Sequence, residues 1–163
     1  MSPTLLDSEA RRAPALAALR ARVQQARPSI STCDAPFTNP LSKGSRARGL
    51  TYERKVGRVL AAHCNRMGWK LWDHQWFVYK CGNEVSYFQP DFIIEREHDA
   101  VLIETKLTFV DTSAQINKYL KYLKMFGLDC FPLIIVRNLT PNAPSPITDI
   151  NEMAPGKVLH LWI

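Results

Sequence analysis

The stretch Gln89-Pro90-Asp91-Phe92-Ile93-Ile94-Glu95, a charged corner Arg96-Glu97-His98-Asp99, and then Ala100-Val101-Leu102-Ile103-Glu104-Thr105-Lys106 decides how this chain is read. Phe92–Glu95 and Val101–Lys106 are short runs rich in β-branched residues, and the polar corner between them is fit to turn a hairpin. The spacing predicts two adjacent antiparallel strands. Side chains alternate across a strand, so Val101, Ile103 and Thr105 share one face while Leu102, Glu104 and Lys106 share the other. Glu104 and Lys106 therefore project side by side. With Asp91 heading the neighbouring strand, its carboxylate can converge on Glu104, which places two hard oxygen ligands beside an ammonium. That donor set suits Mg²⁺.

The chain has 163 residues, 46% hydrophobic and 22% charged, enough for one domain with a proper core. No apolar run approaches the roughly 20 residues that cross a bilayer, so no membrane partner is expected. The first residues, with Asp7 and Glu9 and no apolar segment, do not resemble a signal peptide, so the expectation is a soluble, cytoplasmic protein. Cys33, Cys64, Cys81 and Cys130 are scattered without a Cys-x-x-Cys pair, which favours free thiols over a metal cluster.

Charge is distributed unevenly. Residues 1–58 hold eleven Lys/Arg against Asp7, Glu9, Asp34 and Glu53, a net +7; the remaining ten Lys/Arg and eleven Asp/Glu leave residues 59–163 at −1. The excess in the first third fits a polyanionic partner, nucleic acid before an anionic surface, or else a solubilising basic arm.

Residues 14–26 have high helix propensity, with Leu16, Leu19 and Val23 on one stripe and Pro28 as the stop. From Arg27 to Ser45 the chain is rich in Pro, Ser, Thr and Asn, and reads as a linker or a loop lying over the surface. The expected boundary falls there, dividing a basic helical arm, residues 1–45, from a domain at 46–163. Leu50–Met67 carries Val56, Val59, Leu60 and Met67 at helical spacing, closed by Gly68. Glu53 lies on or beside its apolar stripe, either paired with Arg54 or Arg58 in the first turn or held by a metal. Trp69–Tyr79 reads as one strand, bent or bulged near Asp73-His74, whose tryptophans serve as core or as a base-stacking platform. Asp111-Thr112-Ser113 offers caps for a helix over Ala114–Phe126, Phe131–Val136 reads as a strand covered on both faces, and the Pro-rich Asn138–Gly156 reads as mostly loop. Val158–Ile163 returns as an edge strand or packs on the domain. The resulting order, helix, three strands, helix, strand, predicts an α/β layer fold with a mixed central sheet flanked by helices.

Over Leu50–Val136 the residues resemble the PD-(D/E)xK nuclease superfamily: Pro90-Asp91, then thirteen residues on, Glu104-Thr105-Lys106, each placed on a predicted strand. Glu53 stands on the preceding helix, where many members carry a further acid, and Gln115 with Tyr119 resembles the Gln-x-x-x-Tyr of the RecB-like branch. Thr112 to Gln115 also fits a capping box, so Gln115 has a structural alternative, and Tyr119 has one as a core aromatic. The resemblance implies a restriction-endonuclease-like αβββαβ core and a Mg²⁺-dependent DNA endonuclease, with Mn²⁺ able to substitute. Asp91, Glu104, the Thr105 backbone carbonyl and Glu53 would hold the metal; Lys106 would position or help deprotonate the attacking water; Gln115 and Tyr119 would orient water or phosphate. No cysteine group follows Cys130, so an iron–sulfur cluster is not expected. DNA is the expected partner, tracked along its backbone by Arg46, Arg48, Arg54, Lys55, Arg58, Lys118, Lys121 and Lys124. The same fold would also serve a catalytically silent DNA-binding module, or a phage head-completion or DNA-packaging protein that assembles, or forms homo-oligomers, through residues 1–49.

Overall fold

The computed structural model describes residues 27–38 and 43–163, together with Pro14, Ala17, Ala18 and Ala21, which are helical and exposed. The Leu16, Leu19 and Val23 stripe expected of the N-terminal helix lies outside the described residues.

Among the residues described from 27 on, two α-helices, a short 3₁₀ helix (Ile150–Glu152) and nine strands form an α/β fold with two sheets: β1 (Ser29–Cys33), α1 (Ser45–Met67), β2 (Lys70–Asp73), β3 (Trp76–Cys81), β4 (Glu84–Phe88), β5 (Phe92–Glu95), β6 (Ala100–Thr108), α2 (Ser113–Phe126), β7 (Cys130–Asn138), β8 (Pro146–Ile147) and β9 (Val158–His160). A mixed six-stranded sheet runs in the order β2-β5-β6-β7-β9-β8, and a smaller antiparallel sheet runs β1-β3-β4. β2, β5 and β6 pair antiparallel; β6, β7, β9 and β8 pair parallel. Within the larger sheet the chain order is α1, β2, β5, β6, α2, β7, as the spacing predicts.

The strands of the larger sheet are apolar on both faces because both are covered. Phe92, Ile94, Val101, Ile103, Leu133 and Ile135 pack beneath Tyr52, Val56 and Leu60 of α1. Ile93 and Leu102 pack on the other side with Ile116 and Leu123 of α2 and with Phe77 and Phe88 of the smaller sheet. Removing such side chains from water contributes roughly 1.5–3 kcal/mol each. Met67, expected on the buried stripe of α1, is instead exposed at the helix end, and Tyr52, His63 and Cys64 complete the stripe. Gly68, with φ 71°, closes α1 in the left-handed conformation that a side chain resists.

Three expectations are corrected. Trp69–Tyr79 is not one bent strand: β2 belongs to the large sheet and β3 to the small one, and the chain changes sheets at Asp73–Gln75. Arg27–Ser45 is not all linker, since Ser29–Cys33 forms β1 against β3 in the register Ser29↔Lys80 to Cys33↔Trp76. Val158–His160 is neither an edge strand nor mere packing, because it lies between β7 and β8. Of the tryptophans, Trp69 packs against the α1 core, Trp72 lies against Phe77 and Phe126, and Trp76 meets Phe37 edge-on, which favours the core role over a stacking platform. Among the described residues no helix is long and apolar enough to cross a membrane.

Candidate metal centre

The site forms where β5 begins and β6 approaches its end. Phe92 pairs with Ile103, so β6 continues past the start of β5 and leaves the Thr105 amide without a strand partner on that side. Asp91 takes it. Its Oδ2 accepts hydrogen bonds from Thr105 N (2.7 Å) and Thr105 Oγ1 (2.9 Å). A residue's N–H and C=O point to the same edge of a strand, so the Thr105 carbonyl also faces the Asp91 side. Asp91 thereby sits at the sheet end with access to both faces.

From the α1 face comes Glu53, whose side chain is 16% exposed. Its Oε1 accepts a hydrogen bond from His74 Nε2, and His74 Nδ1 donates to Asp73 Oδ1. His74 occupies the break between β2 and β3 with φ 50°, a left-handed conformation that histidine enters more readily than most side chains. Its main chain is pinned on both sides: N donates to Asp91 O at 3.0 Å, and O accepts from Gln89 Nε2 at 2.7 Å. The edge of its ring rests against Phe92. Ligand atoms of Glu53, His74 and Asp91 all lie within 4.8 Å of one another, a group that could hold a metal ion.

From the α2 face comes Glu104. Alternation along β6 puts it on the side of Leu102, and its side chain is 2% exposed. Lys106 Nζ stands 3.5 Å from Glu104 Oε2 and is 29% exposed, while Glu104 Oε1 is buried without a hydrogen-bond partner. Tyr119 reaches the same region from α2, and its hydroxyl accepts from Gln115 Nε2 at 3.1 Å. Thr112 makes no side-chain cap, so Gln115 is engaged with Tyr119 and not in a capping box.

These placements set the titration of the site. Burial, then the Asp91 charge, push the Glu104 carboxyl up to about 7 against the pull of Lys106. Burial and the Glu53 charge also raise Asp91, opposed by the two Thr105 hydrogen bonds and by Lys106. The hydrogen bond to Glu53, with a second to Asp73, raises His74 to about 9 despite its partial burial. Burial raises the Tyr119 hydroxyl. Near neutral pH His74 is therefore an imidazolium, and Glu53, Asp91 and Glu104 face two cations, His74 and Lys106.

Of the expected ligands, Glu53 and Asp91 come together, the Thr105 carbonyl faces their side, and Glu104 lies next to Asp91 but outside the tightest group. His74, which the sequence did not single out as a ligand, completes that group; its only sequence signal was the polar Asp73-His74 pair interrupting a β-forming run. The residues fit a hard divalent cation. Four carboxylates, Glu53, Asp73, Asp91 and Glu104, share the charges of His74 and Lys106, and the orphaned Glu104 Oε1 lacks the partner that a buried carboxylate oxygen requires. With both ring nitrogens already donating, His74 is a counter-ion to Glu53 in this state, which leaves the carboxylate oxygens as the free donors for a cation.

The basic residues distribute over three clefts. Arg46 lines one of about 800 Å³ with Glu53, Asp91, Thr105 and Lys106. Arg54 and Arg58 line a second, of about 520 Å³, with Glu53, Asp73 and His74. Arg48 and Lys55 line a third of similar volume beyond Leu107 and Thr108. Lys118, Lys121 and Lys124 are exposed on α2 and line none of the three, with Lys118 over the Tyr122 ring at 5.8 Å. Comparison of the chain with family models, curated proteins and solved structures gives no match.

Proposed function

We propose that this protein is a Mg²⁺-dependent deoxyribonuclease of the PD-(D/E)xK type, cutting phosphodiester bonds internally in DNA. One observation carries the reading: Asp91 and the Glu104–Lys106 pair meet at adjoining strand ends, with Glu53 facing them and Glu104 Oε1 left without a partner. The order α1, β2, β5, β6, α2, β7 within the larger sheet supports it, since it follows the family's αβββαβ core, with the β3–β4 hairpin inserted between the first two core strands.

Asp91, Glu104 and Glu53, with the Thr105 carbonyl, would hold the metal. When bound, a divalent cation there supplies a water of lowered pKa and offsets charge on the phosphate. The chain's own groups do the rest. Thr105 locks the Asp91 carboxylate through two hydrogen bonds, so its second oxygen is presented in a fixed direction. Lys106, partly open to the cleft, places an ammonium where negative charge develops on the phosphoryl oxygens as water oxygen bonds to phosphorus and the ester oxygen leaves. The Gln115–Tyr119 pair offers a hydroxyl beside Glu104 and Asp91 to orient water or a phosphate oxygen. Arg46 at the cleft wall contributes sequence-neutral attraction to the DNA backbone.

The test is digestion of linear, nicked and branched DNA by the purified full-length chain in Mg²⁺ or EDTA. The expected result is metal-dependent cutting that Asp91→Ala, Glu104→Ala and Lys106→Ala each abolish. Cutting that survives all three substitutions refutes the site. DNA binding without any cutting favours the silent DNA-binding module instead.

A further inference from the structure

The end of β6 separates two clefts. Leu107 and Thr108 line both the one that holds Glu53, Asp91 and Lys106 and a second one of about 520 Å³ on their far side. The second cleft has a different chemistry. Arg48, Tyr52 and Lys55 recur at i, i+4 and i+7 on α1 and so present one face of that helix to it. Arg137 and Asn138 close it from the end of β7, where the parallel register sets Asn138 beside Thr108. Asn138 Nδ2 donates to Thr108 Oγ1 at 3.5 Å, and Phe109 N donates to Asn138 O at 3.2 Å, so this wall is tied together.

Three cations converge here, and no Asp or Glu lines the cleft. Among the described residues Arg48, Lys55 and Arg137 make no ion pair. Arg137 is positioned more tightly than a solvated surface arginine: its guanidinium lies over the Trp162 ring at 4.7 Å, its carbonyl accepts from His160 Nε2 at 2.9 Å, and its Nε is buried without a hydrogen-bond partner. None of the three cations is balanced by an ion pair among the described residues, and an anion in the cleft would offset that charge. The fork of an arginine held by stacking matches the geometry of a phosphate, and two further cations across the cleft match its charge.

The geometry points to a second phosphate subsite, formed by Arg48, Lys55 and Arg137 with Asn138, which grips the backbone of the same DNA strand whose scissile phosphate lies at Asp91, Glu104 and Lys106. The proposal rests on the nuclease reading for its substrate. A strand, more than a free phosphate, is the occupant because the two clefts share a wall: from Lys106 to Thr108 is two strand residues, about 7 Å, so a backbone leaving one cleft enters the other. The subsite binds without reading sequence, and it fixes which way the strand crosses the metal centre.

Fluorescence anisotropy of a labelled oligodeoxynucleotide with the full chain in EDTA, from 50 to 200 mM NaCl, measures the subsite apart from cutting. Arg137→Gln, and separately the exposed pair Arg48→Gln/Lys55→Gln, should weaken binding of every sequence alike. Each lost phosphate contact should flatten the log–log salt slope by about 1. The exposed pair keeps the test intact if Arg137→Gln disturbs the Trp162 packing. Lys80→Gln, exposed on β3 and lining none of these clefts, serves as the reference and should change less. Unchanged slopes in both variants, with Mg²⁺-dependent cutting retained, overturn the subsite and leave the nuclease standing. Flattened slopes in a protein that does not cut leave the subsite standing as a DNA-binding element and overturn the nuclease. Variants that lose affinity for inorganic phosphate but bind DNA as before also overturn it, as does a wild-type chain that binds no DNA.

Discussion

Replacing Glu104 with glutamine should make the metal-free protein more stable while destroying its proposed activity. The Glu104 side chain is 2% exposed, one of its oxygens has no partner, and Lys106 at 3.5 Å does not compensate, so its carboxyl titrates at about 7 instead of 4.5. The folded chain thus keeps a proton that the unfolded chain releases between those two values. Stability is greatest below 4.5, falls as pH rises through the window from 4.5 to about 7, and stays lowered above it. At about 1.4 kcal/mol per pH unit, the window amounts to about 3 kcal/mol. Glu104→Gln has the same shape and no proton to lose.

Urea unfolding in EDTA at pH 4.5, 6, 7 and 8 is the assay. The two proteins should be equally stable at pH 4.5, and the variant should be about 3 kcal/mol more stable at pH 8, a melting difference of about 6–12 °C for a chain of this size. His74, raised to about 9, contributes stability that is complete below 6.5 and lost as pH rises through 9; it does so in both proteins and so cancels in the difference between them. Adding Mg²⁺ should reverse the order. A cation held at 1,000 times its dissociation constant stabilises the wild type by about 4.1 kcal/mol, more than that gap, and the variant by little. Parallel pH curves, or a variant less stable than wild type at pH 8 in EDTA, would refute the argument that an uncompensated buried carboxylate sits here.

Three other substitutions probe the same geometry. Thr105→Val removes the 2.9 Å hydroxyl donor to Asp91 and keeps the amide, so Asp91 should titrate higher and the acid limb of the pH–rate profile should move up, with about 1 kcal/mol of stability lost; an unmoved limb would separate Asp91 from catalysis. His74→Asn keeps a residue tolerant of the left-handed backbone and removes the cation that competes for Glu53, so calorimetric Mg²⁺ affinity should rise, whereas a fall would identify the imidazole as a ligand. Gly57→Ala puts a methyl 3.1 Å from Phe92 Cε1 and Cζ. About 1 kcal/mol of helix propensity is offset by that crowding, so the melting temperature should change little while cutting slows, because Phe92 adjoins Asp91 and carries the His74 ring.

What the sequence could announce depended on how local the cause was. The β5–β6 hairpin and α1 were legible because their signals lie within a few residues: alternation around a polar corner, and helical spacing ended by Gly68. Asp91, Glu104 and Lys106 came with them. β1 was not legible, since Ser-Ile-Ser-Thr-Cys leaves Ile30 and Cys33 only half-buried and gains its partner, β3, more than forty residues away. The sheet change at His74 was hidden for a related reason. The run from Trp69 to Tyr79 is β-forming throughout, and what turns it is a left-handed histidine pinned by the Asp91 carbonyl and the Gln89 side chain, both contacts from a later segment. That same turn brings His74 to Glu53. The motif therefore announces where negative charge gathers, and a long-range contact supplies the charge that balances it. A chain keeping Asp91, Glu104 and Lys106 but losing the Gln89–His74 hydrogen bond would retain the signature while the turn that brings His74 to Glu53 kept only one of its two main-chain ties. The order of the site rests on that tie as much as on the motif.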